Sequence, residues 1–134
     1  MKSLLPIVIV LILSSGYGLW YQRSRGKVVV KSVKGLITEE MIGEALGSRA
    51  TLVQFSSAFC TPCRATRALL ADVTADMSDV AYVEIDAEAH LELVRQLDIR
   101  STPTTLFLDR NGHEVGRAMG APKRAQVLSA IEAI

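Results

Sequence analysis

Apolar and polar positions follow distinct rhythms along this chain. From Leu4 to Tyr21, eighteen residues run without a charge. As a helix rising about 1.5 Å per residue they would span roughly 27 Å, close to the hydrocarbon thickness of a bilayer. The β-branched run "KVVVKSV", Lys27 to Val33, predicts either a first strand or an extended linker. "ITEEMIGEAL" predicts a helix over 37–46, with Thr38 as N-cap and Glu39 and Glu40 in its electropositive first turn. "TLVQFSS", Thr51 to Ser57, predicts a buried strand. From Cys60 the period becomes helical, with Ala65, Leu69, Val73 and Met77 as the expected apolar face. "VAYVEID", Val80 to Asp86, alternates as a strand, and "AEAHLELVRQL" predicts a helix over 87–97. "TTLFLD", Thr104 to Asp109, predicts a strand closed by the turn pair Asn111-Gly112. A last strand in "HEVGRAMG" and a last helix in "KRAQVLSAIEAI", started near Pro122, complete the chain. This (β)αβαβαββα order predicts an α/β fold with a central mixed sheet and helices on both faces.

Composition changes that picture at the N-terminus. The chain of 134 residues is 49% hydrophobic, with a mean hydropathy of +0.28, and much of the excess lies in the first 21 residues. The net charge of +1 hides a split. Residues 1–34 hold six basic residues (Lys2, Arg23, Arg25, Lys27, Lys31, Lys34) and no acidic one, whereas the remainder holds nine basic and fourteen acidic. A folded part with net negative charge is a poor nucleic-acid binder, and no nucleic-acid partner is expected.

The reading that follows is a membrane anchor over 1–22 (one transmembrane helix, about 4–21), a basic linker over 23–35, and a folded domain over 36–134. Pro6 falls in the first helical turn, where a missing N–H does no harm. Trp20 and Tyr21 suit the membrane interface, and the basic stretch after them acts as a stop. The rival reading is a cleaved signal peptide with Lys2 as its charged start, though no A-x-A site follows. With one basic side chain before the span and five after it, the positive-inside rule favours a cytoplasmic domain on a single-pass cell-membrane protein. The extracytoplasmic side stays open.

The candidate chemistry lies in "QFSSAFCTPCRATRALL". Cys60 and Cys63 are the only cysteines, too few for the disulfide framework of a small secreted fold. A spacing of three at a strand-to-helix junction puts both sulfurs on one side of the first turn. They could join in a small ring or part as two thiols. Free N–H groups and the helix dipole there favour thiolate over thiol, and the thiolate is the nucleophile of disulfide exchange. Pro62 costs little in a first turn and stiffens the ring. Two inert buried cysteines, or half of a zinc site, are the alternatives. The zinc reading lacks a second Cys pair, and neither His90 nor His113 has the usual ligand spacing, so no metal and no organic cofactor are expected.

"LVQFSSAFCTPCRATRALL" resembles the active-site strand and helix of thioredoxins, and "IRSTPTTLFLDRNGHEVGRAMG" resembles the family's later segment, with its cis-proline and terminal hairpin. The resemblance covers residues 36–134 and implies a thioredoxin-like fold. It implies that Cys60 is the exposed attacking cysteine and Cys63 the buried resolving one. It implies a cis Pro103 against the disulfide, with Thr102 offering backbone groups to an extended substrate chain. Phe59, Thr61, Pro62 and Gln54 join these as supporting site residues.

The departures from that family bear on mechanism. Ordinary thioredoxins read Trp-Cys-Gly-Pro-Cys, where this chain has Phe59 for the tryptophan and Thr61 for the glycine. Gln54 stands where they bury an aspartate, Tyr82 where they carry a lysine, and Ser56 where a tryptophan is common. A buried carboxylate can take the proton of the resolving thiol and raise nearby thiol pKa values; Gln54 cannot. Arg64 and Arg67 flank the site and could lower thiol pKa values or steer acidic partners, or simply form a solvated helix face. The leading expectation is a thiol–disulfide oxidoreductase acting on protein disulfide or dithiol substrates, as a monomer, with an unidentified electron donor or acceptor. The alternative is a redox-inactive client-binding module at the membrane.

Overall fold

The computed structural model describes residues 4–24, 28–29 and 35–134. Its elements in chain order are α1 (Leu4–Ser24), β1 (Val28–Val29), α2 (Glu39–Ile42), β2 (Ala50–Ser56), α3 (Thr61–Thr74), β3 (Val80–Asp86), α4 (Leu91–Gln96), β4 (Thr104–Asp109), β5 (Glu114–Met119) and α5 (Arg124–Glu132). Of the run expected as a strand or linker at its start, Val28 and Val29 form β1; its remaining residues lie outside the described ones.

The strands form a single mixed sheet in the order β1-β5-β4-β2-β3. β2 and β3 are parallel, and their connection through α3 supplies the long crossover a parallel pair requires. The β2–β4, β4–β5 and β1–β5 pairs are antiparallel. β2 lies between two neighbours and every one of its residues is buried. Two cores follow from the two faces. On one side Val53, Phe55, Val83, Ile85, Leu106 and Leu108 pack with Ile42 of α2 and Leu93 of α4. On the other, Leu52 and Phe107 pack with Leu70 and Val73 of α3 and with Val127 and Ile131 of α5. Helices cover both faces, as the alternation of elements implied.

The helices differ from expectation in instructive ways. α2 stops at Ile42 because Gly43 takes a left-handed conformation (φ 73°) and returns its N–H to the Glu39 carbonyl at 2.8 Å, a glycine-closed end. The expected continuation to Leu46 is therefore wrong. α4 is six residues long and starts at Leu91; the residues before it are turned instead by Asp86, whose Oδ1 accepts from the Glu88 N–H at 2.9 Å. In α3 the buried positions are Cys63, Thr66, Leu70 and Val73, and Ala65, expected inside, is exposed. Steps of four drift by about 40° per turn, whereas alternating steps of three and four stay on one face.

The β4–β5 turn holds at Gly112, with φ 86° and only 2.1 Å between an added Cβ and the Ile37 carbonyl oxygen. Asp109 Oδ1 accepts from the N–H groups of Asn111 and His113 and completes the turn.

α1 is long and apolar enough to cross a membrane over Leu4–Arg23, a test that signal sequences also pass. Its side chains from Leu4 to Arg23 are exposed. Tyr17 stacks on Tyr21 and tilts against Trp20, gathering the aromatic rings at one end.

Candidate active site

The site forms where β2 ends and α3 begins. After Ser56 the chain leaves the sheet, and Cys60 takes an extended conformation as the N-cap of α3. Its Sγ accepts the Cys63 N–H at 3.2 Å, so the first reactive sulfur sits on a free helix N-terminal donor. The cysteines are joined by a disulfide (S–S 2.05 Å, Cα–Cα 5.2 Å). Thr61 and Pro62 cross the first turn, both exposed, with Pro62 where no intrahelical N–H is needed. Cys60 is half-buried while Cys63 is 1% exposed. This asymmetry lets a partner reach one sulfur and not the other. Phe59, just before Cys60, is 96% exposed.

The second segment arrives on β4, the antiparallel neighbour of β2. The Thr102-Pro103 peptide is cis, Pro103 is buried and Thr102 is half-buried. The two loops are tied directly: Ser57 Oγ and Thr102 Oγ1 lie 3.3 Å apart. The Pro103 carbonyl accepts from the Gly120 N–H at 2.8 Å. Forty residues of sequence separation are thus closed by strand pairing and a hydroxyl pair.

Beneath the disulfide the sheet is polar. Gln54 is fully buried. Its Nε2 donates to the Cys63 carbonyl at 3.0 Å, and its Oε1 accepts from the Tyr82 hydroxyl at 2.6 Å. Gln54 therefore pins the first turn of α3 to the sheet without bringing a charge. Burial pushes the Tyr82 hydroxyl up to about 12, with the Glu84 charge adding to the rise and Arg67 opposing it. Tyr82 remains a donor at any ordinary pH.

Further out, Ser56 Oγ donates to Glu84 Oε1 at 2.7 Å, and the Arg67 guanidinium grips both oxygens of the same carboxylate. The bond from Arg67 holds the Glu84 carboxyl below its usual range, with Ser56 helping and partial burial opposing. Arg67 is occupied in bracing α3 against β3. Arg64, by contrast, points from an exposed position one residue after Cys63. His90 stands at the N-cap position of α4 without a side-chain cap bond, its Nδ1 lying 3.0 Å from the Asp86 carbonyl instead, and His113 pairs with Asp109.

The structure thus gathers Gln54, Phe59, Cys60, Thr61, Pro62, Cys63, Thr102 and Pro103 at one end of the sheet. Ser57 and Glu84 escaped the sequence reading. Ser57 and Glu84 carry no motif of their own, and only the pairing register could have placed them.

A family model for thioredoxin matches residues 33–133. The chain belongs to the thioredoxin family. Chicken (Gallus gallus) thioredoxin is 30% identical over 95 residues, which cover 71% of this chain and 90% of that protein. Thioredoxin H5 of rice (Oryza sativa subsp. japonica) is 35% identical over 72 residues, 54% of this chain. That match spans about half the rice protein, 53% of its length. Among solved structures, Fasciola hepatica thioredoxin superposes with a TM-score of 0.60 at 25% identity, covering 71% of this chain and 88% of its own. As a member of the thioredoxin family with a Cys-x-x-Cys pair at disulfide distance, the protein is a thiol–disulfide oxidoreductase. Its thioredoxin-family site departs from the ordinary pattern through its floor, where neutral Gln54 and Tyr82 are bonded to each other.

Proposed function

We propose that this thioredoxin exchanges dithiol for disulfide in protein substrates while tethered to the cell membrane by α1. The observation that carries the reading is the pair of unequal cysteines at the N-terminus of α3, with Cys60 reachable and Cys63 enclosed. The Cys60 thiolate, favoured by the helix N-terminus, attacks a substrate disulfide. A mixed disulfide forms and the first substrate thiolate leaves. The Cys63 thiol then loses its proton, and its thiolate attacks Cys60 Sγ. The Cys60–Cys63 bond closes and the second substrate thiolate is released. Exposed Phe59 offers an apolar contact beside the attacked bond, and Thr102 at the adjoining loop offers backbone groups to an extended chain.

Neutral Gln54 sets the poise. With no ionised carboxylate beneath it, thiolate at Cys60 forms more easily, and a more stable reduced form makes a stronger oxidant. Equilibration of the full chain in detergent against glutathione buffers should give a potential less negative than the roughly −270 mV of thioredoxin. A value at or below that figure contradicts the role assigned to Gln54.

Five basic residues follow the span within the next thirteen (Arg23, Arg25, Lys27, Lys31, Lys34), and the positive-inside rule then favours a cytoplasmic domain. There dithiols are kept reduced, so electrons would run from Cys60 and Cys63 to the substrate. After mild reduction, a membrane-impermeant thiol reagent should label Cys60 only in permeabilised cells. Labelling in intact cells puts the domain on the outer side.

A further inference from the structure

The face of the sheet beneath α3 carries a polar group that the exchange chemistry has not used. Residues two apart on a strand share a face. Thr105 therefore lies on the side of Phe107, in the core covered by α3 and α5, and Gln54 lies on the side of Leu52 in that same core. The two are direct register partners across the β2–β4 pair, where opposed Cβ atoms stand about 4.5–5.5 Å apart. Gln54 in turn reaches the Cys63 carbonyl. Thr105 also stands two residues beyond Pro103 on β4. It is fully buried, and its Oγ1 has no hydrogen-bond partner among the described residues.

An unpaired buried hydroxyl calls for an explanation, since nearly all such groups are bonded. Here the neighbouring chemistry provides one. A disulfide sulfur is a poor acceptor, whereas a thiolate is a charged one that draws strong hydrogen bonds. Cys63 is enclosed, and its own carbonyl takes a donor from Gln54. The Thr105 hydroxyl, free to rotate, is the unspent donor on this face.

We propose that the Thr105 hydroxyl donates a hydrogen bond to Cys63 Sγ once the Cys60–Cys63 disulfide is open, making Thr105 a catalytic residue of the resolving step. The inference rests on the reading of Cys63 as the resolving thiol. In that step the Cys63 proton passes to water, and Thr105 steadies the thiolate left behind. The thiolate forms the bond to Cys60 Sγ as the Cys60–substrate bond breaks. The departing substrate thiolate takes a proton from water, and two electrons have moved from the dithiol to the substrate disulfide. Thr105 keeps its own proton throughout. In a site without a buried carboxylate, a neutral donor lowers the cost of the thiolate without becoming a base.

The charged and titratable groups around this point come from β3, as Tyr82 and Glu84, and from α3, as Arg67 and the cysteines. β2 adds only the neutral Gln54 and Ser56, β5 sets Ala118 opposite Thr105, and α5 presents Val127 and Ile131. Tyr82 titrates near 12 and Glu84 is held low by Arg67. Between about pH 6 and 9 only the cysteines change charge here.

The test mixes the reduced full chain, in detergent, with dithiobis(nitrobenzoate), whose released thiolate is coloured. A concentration-dependent first phase reports attack by Cys60, and far-ultraviolet circular dichroism shows that each variant is folded. A concentration-independent second phase reports closure by Cys63. In Thr105→Val the midpoint of the second phase's pH–rate profile should rise by about one pH unit. Its rate at pH 7 should fall about tenfold, a factor expected from losing one hydrogen bond to a charged group. Thr105→Ser should restore the wild-type profile, and Thr105→Ala gives the same comparison if the valine variant does not fold. A valine or alanine variant with the wild-type midpoint and rate overturns the proposal, as does a serine variant that behaves like valine. If the wild type itself shows no second phase, Cys63 does not resolve and both readings fall together.

Discussion

Gln54→Glu is expected to leave the oxidised protein nearly as stable as wild type at pH 4 and to weaken it by about 4 kcal/mol at pH 8. Glutamate is close to glutamine in shape. In its acid form it can donate to the Cys63 carbonyl and accept from the Tyr82 hydroxyl, so both observed bonds survive. Ionised, it has no donor for that carbonyl and lies where no solvent reaches. Burial raises a carboxyl pKa by about 3 units or more, each unit worth about 1.4 kcal/mol. The folded-state pKa then exceeds the unfolded value of about 4.3. Stability is intact below the unfolded value, declines as pH rises through it, and levels off above the folded value. Denaturant midpoints of the oxidised chain across this range check the claim. A loss of the same size at every pH would mean that shape, not charge, governs the position. Under reducing conditions the new charge should also hold protons on the cysteines and move the potential toward that of ordinary thioredoxin.

How far this site was legible in the sequence depended on the kind of signal each part leaves. Cys60, Cys63 and the Thr102-Pro103 pair were readable because their residue types are rare and their spacing has a chemical reason. β3 was readable because alternation along a strand needs no tertiary knowledge, and β4 because the Asn111-Gly112 turn closes its short run. The buried face of α3 was misplaced because Ala65 is as compatible with solvent as with a core, while Thr66, which is buried, looks polar. Its hydroxyl is satisfied locally by the Pro62 carbonyl at 2.9 Å, which is how a threonine enters that face. α2 was overextended although Gly43 stood in the middle of the predicted helix. The floor of the site was half-legible. Gln54 and Tyr82 could be named as departures, but their bond to each other follows from parallel pairing of β2 with β3. The Ser57–Thr102 contact and the placement of Thr105 opposite Gln54 depend on register across β2 and β4, which single-strand patterns do not contain.

The second large effect concerns the cysteines themselves. Cys60→Ser removes the reachable nucleophile and should drop protein-disulfide reduction to the uncatalysed rate, a loss on the order of 10³-fold or more. Cys63→Ser should also end turnover, but for a different reason. Attack by Cys60 still proceeds, and the missing second thiol leaves the substrate bound through a mixed disulfide. The distinction follows from the burial difference between the two sulfurs and separates exchange from mere client binding, which would survive both changes.

The most direct measurement is therefore intact-mass analysis of the Cys63→Ser chain after incubation with a protein disulfide, under non-reducing conditions. Exchange through Cys60 should give a covalent one-to-one adduct that dithiothreitol releases and that is absent when Cys60 is also replaced by serine. No adduct, or an adduct that persists without Cys60, would contradict it.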